Sequence, residues 1–149
     1  MKSIFEADAY QELVNRLDKL TSNTQRTWGS MDVAQMLHHC QKPFEIPLER
    51  TTIKKPNLLM KILIKGFKPL LYNDKPWKKN LRSAKEFVVT EPKDFDKEKQ
   101  YLLDLMAEYY AERDRDSWKP HPGFGYFTNA QWGQMQYKHL DHHLRQFGV

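Results

Sequence analysis

Four separate stretches of the chain repeat apolar residues at helical spacing, and no series of alternating strands lies between them. That combination leaves an all-α fold as the expectation. The sharpest of the four opens at "TNAQWGQM". Thr128 and Gln131 have the Thr-x-x-Gln spacing of a capping box, in which each side chain takes up a backbone N–H of the other residue. The helix is expected to continue to about Phe147, with Gly148 as its C-terminal stop. Another is expected from about Phe95 to Ala111. There Phe95, Leu102, Met106 and Tyr109 share a stripe, and Pro92 and Asp94 mark the start. Upstream, Val33, Met36, Leu37, Cys40 and Phe44 form an apolar face. Ser30 is the expected cap, Asp32 suits the positive end of the helix dipole, and Pro43 and Pro47 end or kink the helix. The first helix is expected over Ala9 to Leu20, capped by Asp8 and lined by Leu13, Leu17 and Leu20.

Four such stripes predict a four-helix bundle, and 149 residues suit one domain over 1–149. Between the second and third helices stands "PNLLMKILIKGFKPLLYNDKPWKKN". Leu58 to Phe67 reads as an extra short basic amphipathic helix, mostly buried, whose Lys61, Lys65 and Lys68 reach water along one stripe. It is too short and too charged to cross a bilayer, which takes about 20 apolar residues. Glu86 to Thr90 reads as extended linker, and Trp28 and Trp132 as core anchors.

A chain of this length with 40% hydrophobic residues buries a core without disulfides, and the single cysteine, Cys40, permits none internally. One thiol also excludes a cysteine-built zinc cage, so Cys40 reads as packing. Acids interrupt the apolar residues of "MKSIFEADAYQELVNRLDKL", which is unlike a signal peptide and favours a cytoplasmic location. The net charge of +5 is uneven. Ten of the 24 Lys/Arg and one of the 19 acids fall in 54–85, a local +9, and the other 14 cations and 18 acids leave −4. A basic segment of this kind raises anionic membrane or nucleic acid as a partner, but the segment holds few aromatic residues for base stacking, so no specific nucleic acid is expected. The apolar stretch inside it is alternatively a homodimer surface.

Three of the six histidines crowd into "HLDHH" at 139–143. On a helical wheel with Trp132 at zero, His139 and His143 fall about 20° to either side and His142 about 80° away. His139 and His143 therefore point inward one turn apart, where two imidazole nitrogens can meet at one point. The competing reading is a pair of hydrogen-bonded core histidines, and a lone His-x-x-x-His is common. Asp141 and His142 stand inside the motif and no Glu follows His139, so the general base of the His-Glu-x-x-His zinc proteases is missing. A metal needs a third ligand. His38, His39 and His121 are the candidates, and the wheel of the second helix slightly favours His39. Gln35 and Gln146 lie one turn from histidines and are candidates to orient them; His121, between prolines in "KPHPGFGYF", is a candidate pocket residue.

"RTWGSMDVAQMLHHCQ" (26–41) and "HPGFGYFTNAQWGQMQYKHLDHHLRQFGV" (121–149) resemble the DinB/YfiT-like superfamily, and within it an uncharacterised branch known as a domain of unknown function. The resemblance covers the chain in order and is strongest in those two stretches. It implies a four-helix bundle with a three-histidine metal site, one ligand on the second helix and two on the fourth: His39, His139 and His143. The superfamily includes metal-dependent thiol transferases, isomerases and hydrolases. The expectation is therefore a divalent transition metal (zinc, nickel or iron, all suited to imidazole) and a metal-dependent enzyme of hydrolase or thiol transferase type. Its substrate would be a small molecule, possibly a thiol. A non-enzymatic metal or ligand binder is the alternative, and binding through 54–85 a third. No catalytic general base stands out.

Overall fold

A computed structural model of the chain describes residues 1–54, 56–57, 64, 66–81 and 87–149. Among these residues the regular elements are all helical: α1 (Ala7–Asp18), α2 (Val33–Glu45), a single 3-10 turn (Lys68–Leu71), α3 (Phe95–Ala111) and α4 (Asn129–Gln146). The one β-like feature there is an isolated bridge between His121 and Gly125. The expected helix over 58–67 lies almost wholly outside the described residues. At its C-terminal end Phe67 is exposed, contrary to the expected burial. Lys68, expected to reach water, donates to the Tyr126 carbonyl and sits 4.4 Å above the Phe127 ring.

Three of the four described α-helices, α2, α3 and α4, start where a polar side chain takes up a free backbone N–H. In α4, Thr128 and Gln131 form the expected capping box. In α2 the box is made by Asp32 and Gln35, so Asp32, not Ser30, is the cap. Ser30 lies two residues too early to reach the first turn. Helix α3 has the expected bounds, and Asp94 accepts from the Lys97 N–H. Helix α1 begins two residues before expectation, at a Glu6 whose side chain makes no cap. Asp8 lies inside its first turn, and a turn closed from Glu6 N–H to the Ser3 carbonyl leads into it.

The predicted stripes meet in one core. Leu13 and Leu17 of α1, Met36, Leu37, Cys40 and Phe44 of α2, Leu102, Met106 and Tyr109 of α3, and Trp132, Leu140 and Leu144 of α4 are all buried together. Helix α2 lies along α3, and α1 along α4. Polar pairs set these contacts at the rim. Arg16 binds Asp141 at 2.8 Å between α1 and α4, and Glu98 of α3 receives both His38 (3.0 Å) and Gln41 (2.6 Å) of α2. Trp28 is not a core anchor. It is half-buried beside α4, with the Lys79 ammonium 4.6 Å above its ring.

Pro43 and Pro47 shape the end of α2. Neither has an N–H, so Pro47 offers no donor to the Pro43 carbonyl one turn back. The Gln136 side chain of α4 supplies it instead. This cross-link ties the end of α2 to α4, one turn before His139.

Candidate metal centre

Neighbours on a helix point about 100° apart, so His38 and His39 cannot face the same partner. His38 turns to Glu98 on α3 and His39 turns to α4. There it meets His139 and His143, and one ring nitrogen from each of the three lies within 4.8 Å of the others. The ring centroids of His39 stand 5.1 Å from His139 and 4.7 Å from His143, and His139 and His143 are 4.7 Å apart.

Hydrogen bonds at the outer nitrogens determine which inner nitrogens are bare. His39 Nδ1 lies 2.8 Å from the Phe87 carbonyl, which can only accept, so Nδ1 carries the proton and Nε2 a lone pair. Gln146 donates its Nε2 to the Trp28 carbonyl at 2.7 Å, which fixes its amide. Its Oε1 then accepts from His143 Nδ1 at 2.9 Å, leaving His143 Nε2 bare as well. His139 Nε2 sits 3.2 Å from His39 Nε2, while its Nδ1 is sealed from solvent without a partner. The exposed part of the His139 ring lines a cavity.

This donor set fits a transition-metal ion. Tetrahedral bonds of about 2.0–2.1 Å place ligand nitrogens about 3.3–3.4 Å apart; His39 and His139 stand 3.2 Å apart, and with all three nitrogens within 4.8 Å a small inward movement closes the set. Imidazole binds metal only when neutral. Burial, reinforced by the neighbouring imidazoles, holds His139 well below its ordinary range and pushes His143 down to about 3. Burial also lowers His39, more than its bond to Phe87 raises it. The outer bonds to Phe87 and Gln146 are the kind that orient metal-binding imidazoles.

The cluster faces a cavity of about 230 Å³ whose other described walls are mainly apolar, among them Leu71, Trp77, Phe124 and Met135. His142, which the wheel placed at the helix edge, and His121 also line it. A second recess of about 560 Å³, bounded by Trp28–Met31 and 87–90, reaches His142, His143 and Gln146. Gln146 is thus joined to the cluster, as its spacing suggested. Gln35 is not: its Oε1 accepts from Asp32 N–H and its Nε2 donates to the Glu91 carbonyl. Phe87 and Trp28 act through backbone carbonyls, which no residue type announces. Trp77, 5.9 Å from the His139 ring and 5.6 Å from His142, lies in the basic segment, where nothing in the spacing points to the site.

Fold and site together define an all-helical protein with a partly buried three-histidine cluster at the wall of a small apolar cavity. The family model described as "Protein of unknown function (DUF1569)" matches residues 2–148, and the chain belongs to that family. No curated protein and no solved structure matches it. No described helix is long and apolar enough to cross a membrane.

Proposed function

We propose that this protein binds one divalent transition metal through His39, His139 and His143, and is a metal-dependent enzyme of hydrolase or thiol transferase type. The carrying observation is the convergence of three neutral imidazoles from two helices, two of them with their lone pairs fixed inward by outer hydrogen bonds. The ligand order, one from α2 and two from α4, supports a DinB/YfiT-like bundle. Zinc, nickel and ferrous iron all suit three imidazoles. Such an ion supplies a Lewis acid that polarises a carbonyl or acidifies a water or thiol. The chain's own part is to hold the three rings, keep them unprotonated and shape a mainly apolar cavity beside them. That cavity favours the enzyme over a pure metal store, because a store has no need of space beside its ligands.

The test is metal content after purification without an affinity tag, for the wild type and His139→Ala. One equivalent of a transition metal, lost in the variant, is expected. No metal, and no uptake on adding zinc or nickel, would overturn the reading. Holo protein that turns over no ester, amide or thiol acceptor would leave a metal-binding protein and remove the enzyme.

A further inference from the structure

The "HPGFG" loop builds a second polar element into the same cavity. The isolated bridge closes it: His121 N–H donates to the Gly125 carbonyl and Gly125 N–H to the His121 carbonyl, each at 2.9 Å. Gly125 takes φ +72°, which suits glycine. Inside this closed loop the N–H groups of Gly123 (3.0 Å) and Phe124 (3.2 Å) both point at His121 Nδ1. Two donors converging on one nitrogen require that nitrogen to be the acceptor, so the neutral ring carries its proton on Nε2. Among the described residues the hydrogen bonds to the His121 ring are all made at Nδ1, which leaves Nε2–H to whatever occupies the cavity. The His121 side belongs to a residue only 9% exposed, and it lines the cavity that also holds the three-histidine cluster. Phe124, Phe127 and Trp132 pack around the ring at centroid distances of 5.0, 6.1 and 5.9 Å, so it is held in place.

We infer that His121 is a substrate-positioning residue whose Nε2–H holds the carbonyl oxygen of a small, uncharged, largely apolar molecule in this cavity. The donor asks for an acceptor, and a neutral one: no Lys, Arg, Asp or Glu stands among the described lining residues, whose polar groups are imidazoles and the Trp77 indole N–H, itself already given to the Leu70 carbonyl. Burial, with the Lys68 ammonium nearby, keeps the ring neutral by pushing it down to about 4. A neutral imidazole donor beside a carbonyl is an established way to polarise it without full proton transfer. The inference rests on the metal reading only for what the held carbonyl is then presented to.

The test uses metal-free protein in EDTA, so that the two readings fail separately. Binding of para-fluoroacetophenone is compared with that of para-fluoroethylbenzene, the same body without the oxygen, by fluorine NMR. In His121→Phe, which keeps an aromatic ring among its neighbours, the affinity ratio of ketone to hydrocarbon is expected to fall about five- to tenfold, the scale of one hydrogen bond. His121→Gln, which keeps a donor, is expected to recover part of it. An unchanged ratio in His121→Phe would overturn the inference. Nitrogen NMR of wild-type imidazoles decides the matter even if that variant fails to fold. His121 is expected as the Nε2–H form, its signal shifted by the ketone and not by the hydrocarbon. An Nδ1–H form, or no ketone-specific shift, would overturn it. Ketone selectivity in a protein that takes up no metal would leave the His121 site standing and remove the metal proposal.

Discussion

Lowering the pH from about 7.5 to about 5.0 in EDTA should destabilise the protein by about 4 kcal/mol through two histidines alone. An unfolded-chain imidazole titrates near 6.5, whereas the folded state holds His143 at about 3 and His121 at about 4, in both cases chiefly by burial. Folded values below the unfolded one mean that the unfolded chain binds the extra protons. Stability is therefore complete above about pH 6.5 and is lost as the pH falls towards the folded values. At pH 5.0 linkage assigns about 2 kcal/mol to each of the two. His39 and His139, also lowered, add in the same direction. Against a typical total of about 5–15 kcal/mol, such a loss moves a urea midpoint far enough to measure without difficulty. His121→Phe should remove about half of the two-residue effect. Equal urea midpoints at the two pH values would refute the reasoning, because the imidazoles would then be as easily protonated folded as unfolded.

Two further outcomes bear on the outer hydrogen bonds. Gln146→Leu keeps the volume but strands the Trp28 carbonyl and the His143 Nδ1–H. Stability should drop by about 2–4 kcal/mol in urea, and zinc affinity by about ten- to a hundredfold in a competition titration. Gly29→Ala places a Cβ 2.3 Å from Gln146 Nε2 at φ +84°. It should cost about 1–3 kcal/mol and weaken zinc binding by the same route, with urea unfolding and zinc titration as the checks.

Periodicity identified what depends on one helix at a time. The α4 capping box and the inward pair His139 and His143 follow from spacing, and the α3 bounds from its stripe together with Pro92 and Asp94. The choice between His38 and His39 was only weakly visible, because it turns on which neighbouring helix each faces. Glu98 takes one and His139 the other. Asp32-x-x-Gln35 has the same capping-box spacing as Thr128-x-x-Gln131, but Ser30 is a second residue of cap type nearby and Gln35 also stands one turn from His39, so the spacing alone does not decide. The carbonyls of Phe87 and Trp28 that orient the rings were not visible in this way. They are backbone atoms brought in by chain segments distant in sequence. Trp28 shows a related gap: a large aromatic residue before a helix can line a recess instead of filling a core.

The cross-link from Gln136 to the Pro43 carbonyl makes two distant positions answerable to each other. A residue other than proline at 47 brings its own N–H to that carbonyl and frees the glutamine. A proline there obliges position 136 to keep a donor of the right reach. Across members of the family, loss of the proline should therefore be accompanied by relaxed choice at 136. Because Pro43 itself lines the cavity beside the histidines, such a pair of changes also opens a route by which that wall can shift without replacing a ligand.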